Sequence, residues 1–255
     1  TITPRAQPGN PVPRVFRIPA EEAVINRMGF PNRGADPVVA CLRKLAGESG
    51  VYGGAVLGVN LGKNKVTPLE KAAEDYTSLI RSFAPVAGYL AINVSSPNTP
   101  DLRKLQSRAA LEALLGEVSH QRQALLPMLN RPLPILVKLA PDLSWSEIDD
   151  AMAAIEATGM DGVIATNTTL SRTGLHSPLG SQDGGLSGAP LRSLSTEIIR
   201  YIVKQSHLPV VGVGGIMNPQ DACEKLDAGA VLIQLYTGMI FAGPGLVQTI
   251  LNTLH

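Results

Sequence analysis

The stretch Tyr89-Leu90-Ala91-Ile92-Asn93-Val94-Ser95-Ser96-Pro97-Asn98-Thr99 contains an apolar run that ends in several side chains able to form hydrogen bonds. The apolar part has the length and composition of a buried strand. Parallel α/β folds place their binding and catalytic groups at the carboxyl ends of such strands. This stretch therefore predicts a parallel sheet with a functional site at one edge.

Together with five further apolar segments of similar length, this stretch predicts six strands. They lie at residues 54–60, 89–94, 134–139, 162–166, 209–213 and 231–235. Helical patterns separate them: Ser144 and Glu147 form a capping box that begins one helix, and Asn218-Pro219 begins another. The alternation of strand and helix predicts a single (β/α)8 TIM barrel catalytic domain over residues 1–255.

A barrel of this kind has eight strands, and the sequence supplies six. We therefore expect the first strand and most of the second to be absent from the chain, so that the domain is partial at its amino-terminal side. Residues 1–3 are expected to be the end of a missing strand. The prolines among the first 20 residues predict an irregular segment, because proline cannot donate a backbone hydrogen bond.

Charge and the reactive side chains exclude several kinds of site. The formal net charge is +1, so charge gives no reason to expect a nucleic-acid partner. Cys41 and Cys223 lack metal-binding spacing and are expected to be reduced packing residues. The histidines lack partners at metal-binding or catalytic spacing, so no metal site is predicted and surface positions are expected for His120, His176, His207 and His255.

Polar residues recur where the predicted strands end. Lys138 interrupts an apolar run, and a buried ammonium group is costly unless an anion is held against it. Asn60, Asn93 and the segment 166–169 place amides and hydroxyls at the ends of three other strands. Together these residues predict a ring of polar side chains at one mouth of the barrel.

Glycine-rich segments follow the last two strands. The segment 212–215 precedes a helix start, an arrangement that offers backbone N–H groups to a phosphate. Residues 236–238 end the final strand, and barrels commonly bind phosphate after strands seven and eight. The long segment 171–190, with glycines at 184–188, predicts a loop that either closes over a ligand or decorates the rim.

These motifs resemble those of the dihydroorotate dehydrogenases, the flavoproteins of pyrimidine (UMP) synthesis, and specifically their quinone-linked class 2. The resemblance is carried by residues 25–30, 58–64, 93–99, 137–142, 166–169, 184–188, 212–215 and 236–238. It implies a flavin-dependent oxidation of (S)-dihydroorotate to orotate. The implied cofactor is FMN, and the implied electron acceptor is a membrane quinone.

The resemblance also implies individual roles. Ser96 corresponds to the catalytic base, a position that class 1 members fill with cysteine. The implied substrate-binding residues are Asn26, Arg27, Met28, Gly29, Phe30, Asn93, Asn98, Asn167 and Thr168. The implied FMN-binding residues are Thr1, Asn60, Asn93, Lys138, Thr166, Gly188, Gly215, Tyr236 and Thr237. Asparagine amides match the alternating donors and acceptors of a pyrimidine ring. A serine hydroxyl is a weak base that needs a proton relay, either through water or through a neighbouring hydroxyl, for which Thr99 is a candidate.

The chain departs from the family pattern at its amino-terminal side. The family's first barrel strand, with its Gly-Phe-Asp-Lys motif, and the helices that contact membrane and quinone have no counterpart in the sequence. The resemblance implies peripheral membrane contact through that missing segment. The implied location is the cytoplasmic face of a bacterial cell membrane, or the mitochondrial inner membrane in a eukaryote.

Two other functions stay open on the sequence alone. Lys138, beside a phosphate site, could form a Schiff base in a barrel lyase or aldolase. A barrel that lacks two strands could also be a non-catalytic fragment that folds only beside a partner supplying them.

Overall fold

The computed structural model describes residues 1–46 and 50–254. Its strands, in chain order, are β1 (Arg5–Gln7), β2 (Val15–Ile18), β3 (Ala23–Asn26), β4 (Asn32–Gly34), β5 (Val51–Tyr52), β6 (Ala55–Val56), β7 (Gly58–Leu61), β8 (Tyr89–Asn93), β9 (Ile135–Leu139), β10 (Gly162–Ala165), β11 (Gly185–Gly188), β12 (Val210–Val213) and β13 (Leu232–Gln234). Its α-helices are α1 (Ala35–Ala46), α2 (Ala72–Phe83), α3 (Arg108–Leu129), α4 (Trp145–Ala157), α5 (Arg192–Gln205), α6 (Pro219–Asp227), α7 (Thr237–Ala242) and α8 (Gly245–Leu254).

The central element is a six-stranded parallel sheet in the order β13-β12-β10-β9-β8-β7. Its strands correspond to the six predicted segments, but the first of them is shorter than predicted at its amino-terminal end. The predicted strand over 54–60 begins only at Gly58, because β6 instead pairs with β5 in a small antiparallel hairpin. Register places Asn93 opposite Lys138, so polar groups at the ends of neighbouring strands lie side by side.

A hydrogen bond across the sheet shows that it is strongly curled. Lys138 Nζ donates to Gln234 Oε1 at 3.0 Å, although β9 and β13 lie three strands apart. In a flat sheet that separation is about 14 Å, and side chains stand roughly perpendicular to the sheet. The two residues can therefore meet only on the concave side of a curved sheet. The architecture is an open part of a (β/α)8 barrel, which confirms the predicted fold class.

Helices cover the outer face of the sheet and enclose the main core. The aromatic side chains of Tyr76 and Phe83 on α2 are fully buried there, among aliphatic residues of the strands and of α3 and α4. The predicted helix starts are confirmed. Ser144 accepts from the Glu147 backbone N–H in a capping box, and Asn218 caps α6.

The prediction of an irregular segment over the first 20 residues is wrong for two stretches. Residues 14–18 contain no proline, and β2 forms the edge of a three-stranded antiparallel sheet with β3 and β11. Between two prolines, β1 pairs with β4. An edge strand needs only one hydrogen-bonding partner, so the flanking prolines are tolerated. Ile2 forms a parallel bridge with Leu61, beside the end of β7.

The two cysteines differ in their exposure to solvent. Cys41 is exposed, so its predicted packing role is wrong, whereas Cys223 is partly buried. The surface positions predicted for three histidines are confirmed, for His120, His176 and His207. His255 lies outside the described residues. Within residues 1–46 and 50–254, no helix combines the length and apolar character needed to cross a membrane.

Candidate active site

A cavity of about 390 Å³ lies at the carboxyl ends of the parallel strands, within the usual size range of ligand pockets. The catalytic, substrate-binding and FMN-binding residues implied by the family resemblance all line this cavity, with one exception. The members of that set that line the cavity are Thr1, Asn26, Met28, Gly29, Phe30, Asn60, Asn93, Ser96, Asn98, Lys138, Thr166, Asn167, Thr168, Gly188, Gly215, Tyr236 and Thr237. The exception is Arg27.

Arg27 lies against the loop that borders the cavity. Its guanidinium donates to Gln182 Oε1 at 3.3 Å and to the carbonyl oxygen of Asp183 at 3.4 Å. It also stacks over the ring of Phe16, 4.8 Å from the ring centroid. Arg27 therefore joins β2 and β3 to the loop 171–184, and its side chain does not line the cavity.

Asparagine side chains form a connected network on the cavity wall. Asn93 Nδ2 donates to Asn60 Oδ1 at 3.2 Å, and Asn93 Oδ1 accepts from the Ser95 backbone N–H at 3.2 Å. Asn167 Nδ2 donates to Asn93 Oδ1 at 3.3 Å. In a separate pair, Asn98 Nδ2 donates to Asn26 Oδ1 at 3.3 Å. Amides that fix one another in this way are preorganised to recognise a planar polar ring.

Ser96 lies on the loop that follows β8 and is 5% exposed. Its Oγ accepts from the backbone N–H of Asn98 at 3.2 Å. Three residues further on, the Thr99 hydroxyl is buried and has no hydrogen-bond partner. A buried hydroxyl without a partner is unusual, and no hydrogen bond joins it to Ser96, so the relay role expected for Thr99 stays a prediction.

Arg103 holds the serine loop in place. Its guanidinium donates to the carbonyl oxygens of Ser95 at 3.0 Å and Thr168 at 2.9 Å, and it forms a 2.7 Å ion pair with Asp142. The Asp142 carboxylate in turn accepts from the Thr169 hydroxyl and from a backbone N–H. The loops after β8, β9 and β10 are thereby tied to one another.

Lys138 is the basic side chain of the cavity wall. Its hydrogen-bond partner is neutral, the Oε1 atom of Gln234, and desolvation lowers the pKa of Lys138 to about 8. No carboxylate lines this cavity in the described part of the chain. The cavity is thus suited to an anion, which would restore the charged form of the lysine.

The turn after β12 brings bare backbone to the cavity. Gly214 and Gly215 have φ values of +125° and +72°, a region that disfavours other residues. A Cβ atom on Gly215 would lie 2.5 Å from the Cα atom of Arg192, so the turn packs directly on the start of α5. The start of α7 packs equally closely, because a Cβ atom on Gly238 would lie 2.2 Å from the carbonyl oxygen of Ile216.

Sequence reasoning missed several residues that line the cavity or support it. Gln234, Ser187 and Leu191 line the cavity, and Arg103 supports its loops. The signal for Gln234 was present, because it interrupts an apolar strand as Lys138 does. The Ser187 hydroxyl accepts from the Thr237 hydroxyl at 2.9 Å, and it lies within the glycine segment already singled out. Arg103 gave no such signal, because it lies in an ordinary polar segment.

A metal centre has no structural support. The described residues contain no group of three or more histidine, cysteine, aspartate or glutamate side chains placed to hold a metal ion.

Comparison with known proteins agrees with the geometry. The family model described as dihydroorotate dehydrogenase matches residues 1–255. A protein of Alkalilimnicola ehrlichii named dihydroorotate dehydrogenase (quinone) is 48% identical over 257 residues, covering 100% of this chain and 74% of the relative. A protein of the same name from Chromobacterium violaceum is 49% identical over 250 residues, covering 97% of this chain and 71% of the relative.

A solved structure with a similar fold belongs to the same family. The crystal structure of an Eimeria tenella DHODH in complex with ferulenol has a TM-score of 0.92 and 36% identity, covering 100% of this chain and 72% of that chain. The fold, the cavity and these sequence relatives are in agreement. The chain belongs to the dihydroorotate dehydrogenase family.

Proposed function

We propose that the protein oxidises (S)-dihydroorotate to orotate and passes the electrons to a quinone, as a step of pyrimidine synthesis. The relatives named dihydroorotate dehydrogenase (quinone) support the reaction and the acceptor. The observation that carries the proposal is the meeting, in one cavity, of a buried serine, a network of asparagine amides and a lysine without an acidic partner.

FMN is the cofactor that we propose for this cavity, and the residues present fit it. The Gly214-Gly215 turn leaves no room for side chains and offers backbone N–H groups to a phosphate. Leu191, Ile216 and Leu235 line the neighbouring wall with apolar surface for a ring system. Lys138 would supply a cation for the polar edge of that ring system. We propose that the FMN-binding residues implied by the family resemblance would hold this cofactor.

The asparagines would bind the substrate. The pyrimidine ring of dihydroorotate has imide and ureide edges, on which donors and acceptors alternate. Asn26 and Asn98 are joined by one hydrogen bond, Asn93 and Asn167 by another, and both pairs line the cavity where they would contact these edges. Each amide offers both a donor and an acceptor, so four amides can match both edges.

Ser96 would remove the proton from C5 of dihydroorotate. The flavin, when bound, supplies the acceptor for the hydride that leaves C6, so that a carbon–carbon double bond forms between the two positions. Because serine is a weak base, its proton must move on, and the unpartnered Thr99 hydroxyl is placed three residues away. Lys138 would stabilise the negative charge that develops on the cofactor side.

Flavin bleaching tests the proposed function. The purified protein, mixed anaerobically with dihydroorotate, should lose its flavin absorbance in a single turnover and regain it on addition of a quinone. Ser96→Ala should bind orotate nearly as tightly but reduce the flavin about 100-fold more slowly, the scale of a lost general base. A folded protein that binds no flavin, or a variant with an unchanged reduction rate, would refute the assignment.

The domain and its location follow from the same family resemblance. Residues 1–255 would form the FMN-binding catalytic domain. A quinone acceptor dissolves in the bilayer, which supports peripheral contact with a membrane, at its cytoplasmic face in a bacterium, through an amino-terminal segment. Co-sedimentation with quinone-containing vesicles tests this contact, and a protein that stays in the supernatant would contradict it.

The comparisons give no support to the lyase or aldolase alternative. Borohydride trapping of a carbonyl substrate on Lys138 would be required to revive it. The fragment alternative is tested by thermal melting, because cooperative unfolding with stoichiometric FMN would reject it.

A further inference from the structure

Lys225 on α6 is a fully buried lysine outside the cavity. Its Nζ atom donates to the Ser195 hydroxyl at 2.5 Å, to the Thr196 hydroxyl at 2.5 Å and to the carbonyl oxygen of Arg192 at 2.8 Å. All three acceptors are neutral and belong to the first five residues of α5. Burial lowers the pKa of Lys225 to about 8. An ammonium group buried on neutral acceptors is costly, which calls for a role beyond packing.

The contacts of Lys225 lead to the glycine turn. The Ser195 hydroxyl has two acceptors within reach, the carbonyl oxygen of Gly214 at 3.0 Å and that of Arg192 at 3.2 Å. Lys225 donates to the serine oxygen and also to the Arg192 carbonyl. Both interactions direct the serine proton toward Gly214. The ammonium therefore fixes the orientation of the hydroxyl.

The orientation of one peptide group then follows. The carbonyl of Gly214 and the N–H of Gly215 belong to the same planar trans peptide, so they point in opposite directions. With the carbonyl held toward Ser195 and α5, the Gly215 N–H points the other way. Gly215 is among the residues that line the cavity.

We propose that Lys225 is a positioning residue for the flavin phosphate, acting through Ser195 to aim the Gly215 N–H into the cavity. This inference rests on the proposed FMN site. A second link supports it from the other end of the turn, where the buried Asp221 carboxylate accepts from the Met217 N–H at 2.9 Å and pairs with Arg192 at 2.6 Å. The segment 214–217 is thus held at one end by Ser195 of α5, which Lys225 contacts, and at the other end by Asp221 of α6.

Selectivity between FMN and riboflavin tests the proposal, because riboflavin lacks only the phosphate. The full protein, stripped of flavin, is titrated with each ligand while flavin fluorescence is followed. Lys225→Met should weaken FMN about tenfold and leave riboflavin unchanged. Ser195→Ala should lower the ratio of FMN to riboflavin affinity in the same direction, about threefold or more. Lys204→Met is the matched control, because Lys204 is an exposed lysine on α5, and the ratio should not change.

Removal of the ammonium should leave the fold intact. The Thr196 hydroxyl already donates to the Arg192 carbonyl at 2.9 Å, and the Ser195 hydroxyl can turn to it. If Lys225→Met does not fold, Ser195→Ala decides alone. An unchanged ratio, or equal weakening of both ligands, would overturn the positioning role. A wild-type protein that binds flavin without preferring FMN would overturn the phosphate assignment itself, and the proposal with it.

Discussion

Lys138→Met should stabilise the flavin-free protein while it weakens flavin binding. The pKa of Lys138 falls from its usual 10.5 to about 8 because burial disfavours the charged form. One pKa unit corresponds to about 1.4 kcal/mol, so the charged lysine destabilises the folded state by at most about 3 kcal/mol at neutral pH. The side chain is only partly buried beside an open cavity, and solvent screening lowers the expected gain to about 1–2 kcal/mol.

The stability difference between Lys138→Met and the wild type should depend on pH. Below about pH 8, Lys138 is protonated in both the folded and the unfolded wild type, so the full penalty is present. Between pH 8 and 10.5 the folded protein loses this proton and the unfolded chain keeps it, so the penalty shrinks as pH rises. The stability advantage of Lys138→Met should therefore be largest near pH 7 and smaller at pH 9.5.

Urea unfolding of flavin-free wild type, Lys138→Met and the control Lys204→Met at several pH values measures these differences. Lys204→Met should match the wild type throughout. In parallel, FMN should bind Lys138→Met at least tenfold more weakly, because the cation opposite the polar edge of the ring system is lost. A variant that is less stable than the wild type at pH 7, or whose advantage does not change with pH, would refute the reasoning.

Other substitutions test the support of the cavity. Thr99→Val removes a buried hydroxyl without a partner, so urea unfolding should show a gain of about 1 kcal/mol while stopped-flow flavin reduction slows about tenfold; an unchanged reduction rate would exclude the relay. Arg103→Met breaks the tie among three loops, and we expect a loss of about 2 kcal/mol in urea unfolding together with slower flavin reduction; wild-type values for both would show that the tie is dispensable. Gly215→Ala places a Cβ atom 2.5 Å from the backbone of Arg192 at a φ of +72°, so FMN affinity should fall more than tenfold. Its control is Gly116→Ala on α3, where the added Cβ meets no atom within 4 Å and the helix should gain about 1 kcal/mol; equal effects of the two changes on FMN affinity would contradict the steric argument.

The sequence predicted those features that leave a local mark. Lys138 and Asn93 were identified because polar residues at the end of an apolar run are conspicuous, and the capping box over 144–147 has a fixed spacing. Gln234 and Arg103 depend on curvature and on loops that meet in space, and neither is encoded in a short stretch. The strand at Val15–Ile18 was missed because the prolines on both sides of this short apolar segment predicted irregular structure. The strand lies at the edge of a sheet, where neighbouring prolines are tolerated. Lys225 resembles any other lysine on an amphipathic helix until its partners on α5 are seen.

The asparagine network has a direction. Asn167 donates to Asn93, and Asn93 donates to Asn60, so hydrogen-bond polarity runs one way across the cavity wall from the end of β10 to β7. The backbone N–H of Ser95 fixes that direction, because it can only meet the oxygen of the Asn93 amide. Conversion of Asn93 to aspartate, as in deamidation, would set two acceptor oxygens against each other at the Asn60 contact. Exchange of one amide nitrogen for an oxygen, with almost no change in size or shape, would therefore break the order of hydrogen bonds along the cavity wall.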